Sequence, residues 1–178
     1  MPVAPLRRAA RGFTLIEILV VLVIIGIMAA IATVSLGLLG EDREIERESE
    51  RLTDAIALLQ EQAELEGRDY GIWLETSRYE FQRYDAFEQR WKPVEGDTAL
   101  EPHELSPELS LELVLEGRPI LLKPEANPDN RVPQLVAWGS GEMTPYRVAF
   151  VRKAGARVTL VGGLDGGIEI ERGDEKKP

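Results

Sequence analysis

Gly12-Phe13-Thr14-Leu15-Ile16-Glu17 opens the decisive stretch of this chain; the 23 residues from Ile18 to Gly40 then carry no charge, and the next ionisable residue is Glu41. Arg7, Arg8 and Arg11 stand in front of it. As a helix, Phe13 to Gly40 would run about 40 Å at ~1.5 Å per residue. That is long enough to cross a hydrocarbon core of about 30 Å. The arginines before the span and Glu41, Asp42, Glu44 and Glu46 after it put the amino terminus in the cytoplasm and the rest of the chain outside. Glu17 sits near the head of the apolar run, where a carboxylate costs about 2.5 to 3.5 kcal/mol at mid-membrane depth, so a partner charge is expected.

The residues alone leave three readings of this segment. Ala30-Ile31-Ala32 satisfies the small-residue pattern of a secretory signal peptide, with Thr33 as the first mature residue. An uncleaved single-pass anchor would let Glu17 snorkel to the interface. The third reading comes from a resemblance: Gly12 to Glu17 behind an arginine-bearing leader is similar to the prepilin signal of type IV pilins and type II secretion pseudopilins. That resemblance implies cleavage by prepilin peptidase between Gly12 and Phe13, N-methylation of Phe13, and an assembly role for Glu17. The new α-amino group keeps its positive charge on methylation. It is a natural partner for the Glu17 of a neighbouring subunit, and such pairing avoids an uncompensated buried charge.

Composition bounds the remainder. The 178 residues, less leader and apolar helix, suffice for one compact domain. Without the three leader arginines, 18 basic residues face 31 acidic ones, a net charge of −13 that argues against a nucleic-acid surface. There is no cysteine, hence no disulfide framework and no thiolate metal site.

Beyond Gly40, Ile45, Ser49, Leu52, Ile56, Leu59 and Ala63 recur at spacings of four and three, one apolar stripe on a helix that continues to a stop at Gly67. Gly37 and Gly40 mark a weak point where a bend or local melting is expected. From Asp69 the period becomes two, predicting strands at Tyr70 to Leu74, Tyr79 to Tyr84, Leu109 to Leu115, Ile120 to Lys123, Leu135 to Trp138, Arg147 to Arg152, Val158 to Val161 and Ile168 to Ile170. The expected fold is α+β and pilin-like: a long N-terminal helix, transmembrane and then amphipathic, packed on a C-terminal antiparallel β-rich head. Its expected parts are a cleaved leader (1–12), a transmembrane and filament-core helix (13–40), the amphipathic periplasmic half of that helix (41–67) and the head (68–178).

A second resemblance lies in Leu135-Val136-Ala137-Trp138-Gly139-Ser140-Gly141-Glu142-Met143-Thr144-Pro145-Tyr146. This segment resembles the one that marks the H-type minor pseudopilins of type II secretion, with Gly139 in place of a usual serine and Tyr146 in place of phenylalanine. Tyr70-Gly71-Ile72 after the helix and Trp91 in the following hairpin add to the likeness. It implies a minor subunit near the tip of a short periplasmic pseudopilus, anchored in the bacterial inner membrane. The implied partners are the major pseudopilin, the I-, J- and K-type minor pseudopilins, prepilin peptidase and the inner-membrane assembly platform. The alternative is a type IV pilus minor pilin of the FimT/FimU kind, acting in pilus assembly or DNA uptake. Within the segment, Ser140-Gly141 suits a tight turn, Glu142 can accept backbone N–H bonds and Pro145 sets the approach to a strand. Either the loop shapes the fold or Glu142 and Tyr146 contact a partner.

Catalytic constellations are missing from the sequence. The one histidine, His103, lies in a Pro- and Glu-rich stretch and reads as a solvated loop residue; Trp138 stands where a Gly-x-Ser-x-Gly elbow needs its first glycine. No phosphate-binding Gly-x-x-x-x-Gly-Lys is present. Glu125, Asn127, Asp129 and Asn130 place oxygens in one loop, but their spacing is not that of an EF-hand. The expectation is therefore no enzyme, no cofactor and no metal.

Overall fold

The computed structural model describes residues 15–153 and 155–174, with side chains throughout these ranges except at 29–42 and 174. Gly12 and Phe13 lie outside the described residues. The chain divides after Glu41 into two units, Met1–Glu41 and Asp42–Pro178.

Helix α1 (Leu15–Glu66) is continuous through 52 residues, although its two parts obey different patterns. The described part of its apolar half, Leu15–Met28, exposes its large apolar side chains on every face, from Leu15 at 83% to Val21 at 44%. Among the described residues no helix is long and apolar enough to cross a membrane, and side chains of the apolar run are described only as far as Met28. The expected weak point at Gly37 and Gly40 falls among residues whose side chains are not described.

In the second half the six stripe residues, Ile45, Ser49, Leu52, Ile56, Leu59 and Ala63, are all buried. Ser49 belongs there because its hydroxyl donates back to the Glu46 carbonyl at 2.8 Å, so no polar group is orphaned. Gly67 ends the helix at φ +60°, and the Arg68 N–H returns to the Ala63 carbonyl at 3.2 Å, the longer bond of a Schellman turn.

Two antiparallel sheets complete the head. The first is ordered β3 (Arg90–Pro93), β2 (Arg78–Asp85), β1 (Tyr70–Glu75), β7 (Leu135–Ala137), with β4 (His103–Glu104) also paired to β2. The second is ordered β10 (Ile168–Asp174), β9 (Ala156–Gly162), β8 (Tyr146–Arg152), β5 (Leu109–Leu115), β6 (Arg118–Ile120). The register of β1 with β2 pairs Leu74 with Tyr79 and Ile72 with Phe81, which places all four in the core. In the second sheet Leu111–Phe150, Leu113–Val148 and Val148–Leu160 share the corresponding face. Helix stripe and both inner faces form one hydrophobic core, and the fold is the expected α+β arrangement.

Two expectations shift. The strand expected over Ile120–Lys123 is Arg118–Ile120, whose pairing with β5 ends at Leu113–Ile120 while β5 itself runs on beside β8 to Leu109. Arg90–Pro93, the hairpin arm that carries Trp91, and His103–Glu104 are further strands, too short and too charged to show a period in the sequence. His103 is correspondingly no solvated loop residue. It pairs with Tyr79, and its Nε2 lies 2.7 Å from Glu48 Oε2 on the helix.

Candidate functional site

Glu17 lies in the first turn of α1, the only charged residue between Phe13 and Gly40, flanked by the exposed side chains of Leu15, Ile16 and Ile18. Exposed apolar residues on all faces of a helix have no stable place in water. Burying one gains roughly 1.5 to 3 kcal/mol for a Leu- or Ile-sized side chain, more than the about 0.5 to 1 kcal/mol of rotamer freedom it loses. This half is therefore built for a non-aqueous or protein surrounding, with a carboxylate at its entry.

The Leu135–Tyr146 segment is organised by backbone hydrogen bonds at the end of the same helix. Gly141 N–H donates to the Trp138 carbonyl and Trp138 N–H to the Glu142 carbonyl, each at 2.9 Å, closing a turn with Gly139 and Ser140 at its centre. Thr144 locks its base: its N–H donates to the Val136 carbonyl at 2.9 Å, and its Oγ1 accepts from Val136 N–H at 3.0 Å. The Asp69 carboxylate accepts from Gly139 N–H at 3.1 Å. A Cβ on Gly139 would sit 2.5 Å from the Gly67 carbonyl carbon, so the turn abuts the helix stop itself and a serine could not enter without moving backbone.

In this setting the two residues singled out for contact part company. Glu142 is exposed, and its main-chain oxygen rather than its carboxylate takes the backbone bond. Tyr146 is corrected: it is 3% exposed, begins β8 as Pro145 predicted, and its ring lies over Gly162, where a Cβ would fall 2.1 Å from the ring. Burial pushes its phenol well above the ordinary range. Trp138, 37% exposed at the turn, is the aromatic that this segment leaves at the surface.

Sequence reading missed a layer on the outer face of the first sheet. Period two turns Trp73 and Glu80 away from the core, and that face would be solvated but for the segment Lys123–Pro133 laid across it. Arg131 stacks its guanidinium 4.6 Å from the Trp73 ring centroid and reaches Glu80 Oε2 at 2.6 Å, while Arg78 Nη2 lies 3.3 Å from the same oxygen. Glu80 is only 2% exposed, so this pairing is what makes its charge tolerable. Gly71 has no side chain because Pro133 occupies that space, a Cβ there lying 2.5 Å from Pro133 Cγ. Gln134 then holds the β1 backbone with its amide, accepting from Leu74 N–H at 2.7 Å and donating to the Leu74 carbonyl at 3.1 Å. Alternation could have flagged Glu80; nothing in the sequence announces that Arg131, 51 residues later, covers it.

Of Glu125, Asn127, Asp129 and Asn130, whose oxygens share one loop, three each have one side-chain oxygen engaged within the protein. Glu125 Oε1 accepts from Asn127 N–H, Asn127 Oδ1 accepts from Asp129 N–H, and Asp129 Oδ1 takes Arg90 Nη1 at 2.8 Å.

Comparison with known proteins agrees with this geometry. Residues 7–33 match the prokaryotic N-terminal methylation motif. In three dimensions the chain is similar to the minor pseudopilin EpsH from the type II secretion system of Vibrio cholerae, at a TM-score of 0.60 and 23% identity, over 72% of this chain and 96% of that one. The solution structure of Escherichia coli GspH gives 0.56 at 22% identity, over 77% and 92%. By sequence, the type II secretion system protein H of Aeromonas hydrophila is 27% identical over 146 residues, covering 79% of this chain and 80% of the relative. That of Pseudomonas aeruginosa is 38% identical over 151 residues, covering 82% and 86%. At that identity over most of both lengths, the chain belongs to the type II secretion system protein H family, the H-type minor pseudopilins, structural components of a secretion apparatus.

Proposed function

We propose that the chain is cut between Gly12 and Phe13 by prepilin peptidase, N-methylated on Phe13, and built into the periplasmic pseudopilus near its tip through the apolar half of its helix. The carrying observation is that half itself, apolar on every described face with Glu17 as its one charge. Before assembly, residues 13–40 anchor the subunit in the inner membrane with its head in the periplasm. During assembly the Glu17 carboxylate pairs with the methylated amine of the neighbouring subunit, so two charges that each cost several kcal/mol alone in a low-dielectric core compensate one another.

The partners in this reading are the major pseudopilin, the I-, J- and K-type minor pseudopilins and the inner-membrane assembly platform. Glu142 and Trp138 form the head's contact surface, since Tyr146 is inside. The role is assembly rather than catalysis. N-terminal sequencing of the mature protein tests the processing step: methylated Phe13 as the first residue supports it, whereas Thr33 or an uncut leader ends it. Pull-down of the soluble head against purified heads of the other pseudopilins tests the placement. Binding to the minor set is expected, and a folded head that binds none of them rejects it.

A further inference from the structure

The edges of the two sheets are of unequal kind. β3 is four residues long, carries Arg90 and Lys92 and closes on Pro93, and Arg90 ties it to Asp129 in the segment laid across the sheet. β7, at the other end of that sheet, is covered by Thr144, which bonds Val136 through both main chain and side chain. β6 has three residues with Pro119 at its centre. Shortness, proline, lysine and cover are devices that keep an edge from pairing with another chain. β10 lacks all four. It is seven residues long, without proline or lysine, and its register with β9 runs from Ile168↔Gly162 to Asp174↔Ala156 without a bulge. It ends its sheet, and among the described residues no backbone hydrogen bond reaches its outer edge.

A row of unpaired N–H and C=O groups on an extended backbone is met by a second extended backbone, which donates and accepts at the same spacing. The side chains say what kind. Ile168 and Ile170 are half-buried against the core, and period two turns Glu169 and Glu171 the other way, into solvent. Arg147 holds Glu171, and Arg172 lies 2.7 Å from Glu46 with Glu50 also near it. Glu169 has no ion-pair partner among the described residues, so acid is in surplus along this edge.

A second copy of β10 does not supply the match. Of the antiparallel registers that keep the inner faces together and overlap by five residues or more, one sets Glu169 against Glu171, one sets Glu171 against its own copy and one sets Arg172 against its own copy. Parallel pairing in step sets every charge against its like. Like charges directly opposite destabilise a strand pair.

We propose that β10 receives an extended strand from a different chain, apolar at the positions beside Ile168 and Ile170 and carrying Lys or Arg beside Glu169. It rests on the reading of this protein as an assembled subunit, and it names the kind of segment by which another subunit completes the head.

The test follows amide hydrogen exchange, residue by residue, in the full-length protein in detergent micelles, with a soluble octapeptide of alternating lysine and valine as the strand. In the protein alone, the β10 amides bonded to β9 should exchange slowly and the alternate, outward ones fast. Saturating peptide should slow the outward set by about tenfold or more, and raised salt should weaken the effect. Glu169→Lys, with its melting temperature unchanged, should lose the response to this peptide and gain one to a peptide of alternating glutamate and valine. In secreting cells, a photoreactive benzophenone side chain at position 169 should join a stretch of another subunit with the same alternation, and that stretch, made as a peptide, should slow the same amides. Equal slowing by the basic and acidic peptides, slowing at β3 or β6 instead, or no slowing overturns the proposal. So do outward amides already slow in the protein alone: dependence on protein concentration would mean a second copy, and independence would mean cover from within the chain. An adduct with this chain alone, with a stretch lacking the alternation, or none at all overturns it as well. Failure of the assembly reading shows separately, as an uncut Gly12–Phe13 bond.

Discussion

Leu15–Met28 and Ile45–Ala63 belong to one helix and share its backbone geometry, yet the first exposes apolar side chains all round while the second buries one stripe and leaves charge on its other faces. The difference lies in what completes them. The second half finds its partner inside the same chain, in the inner faces of two sheets, and so contributes to the stability of the head. The large apolar side chains of the first half are exposed, and in the proposed function they are covered by a membrane and then by other subunits. The distribution of apolar surface around the axis sets their fates.

Leu59→Ala should show the contrast at its largest. The side chain is fully buried in the stripe, and its loss should cost the head about 3 kcal/mol, read from a urea midpoint. Leu22→Ala, in the other half, should leave that midpoint within about 0.5 kcal/mol and act only on membrane retention and assembly. Equal destabilisation by the two would break the comparison. Gly139→Ala comes next, at roughly 1 to 3 kcal/mol, because its methyl would press on the Gly67 backbone where the stripe ends.

The core that receives the stripe also sets an alkaline limit. Burial raises the phenols of Tyr79 and Tyr146 well above their ordinary values, so folding favours their protonated forms. Their contribution is complete below about pH 10 and is lost as the pH rises above it. Ionisation of these two of the four tyrosines should therefore coincide with unfolding, and full tyrosinate absorbance from all four in the folded protein would place these rings outside the core. The smallest effect concerns the start of the amphipathic half, where the Arg152 guanidinium, 2.5 Å from Glu44 Oε2, lowers the Glu44 carboxyl. A lowered carboxyl stabilises the fold above about pH 4.3 and loses that contribution as the pH falls. Glu44→Gln should cost about 0.2 to 1 kcal/mol at pH 7, after screening, and nothing near pH 2.

Much of the helix was legible because a period of 3.6 repeats five times between Ile45 and Ala63, and even Ser49 obeyed it. The long strands were legible for the same reason at period two. His103 and β4 were not, since two residues carry no period and their pairing with Tyr79 is set by the loop that returns them to β2. The sequence left Tyr146 open between shaping the fold and contacting a partner, and its register opposite Leu115 and Gly162 turns the ring inward.

By itself, the sequence determined the apolar half with its single carboxylate, the stripe, the stop at Gly67 and the α+β plan, because each is written in local order and spacing. Only the tertiary structure decided that Gly139 must be bare against the helix end, that Gly71 must admit Pro133, and that Glu80 is covered by Arg131. The physical reason is common to all three. They depend on atoms brought within a few ångströms by segments distant in the chain, and no periodicity encodes a contact between residues that share neither strand nor turn.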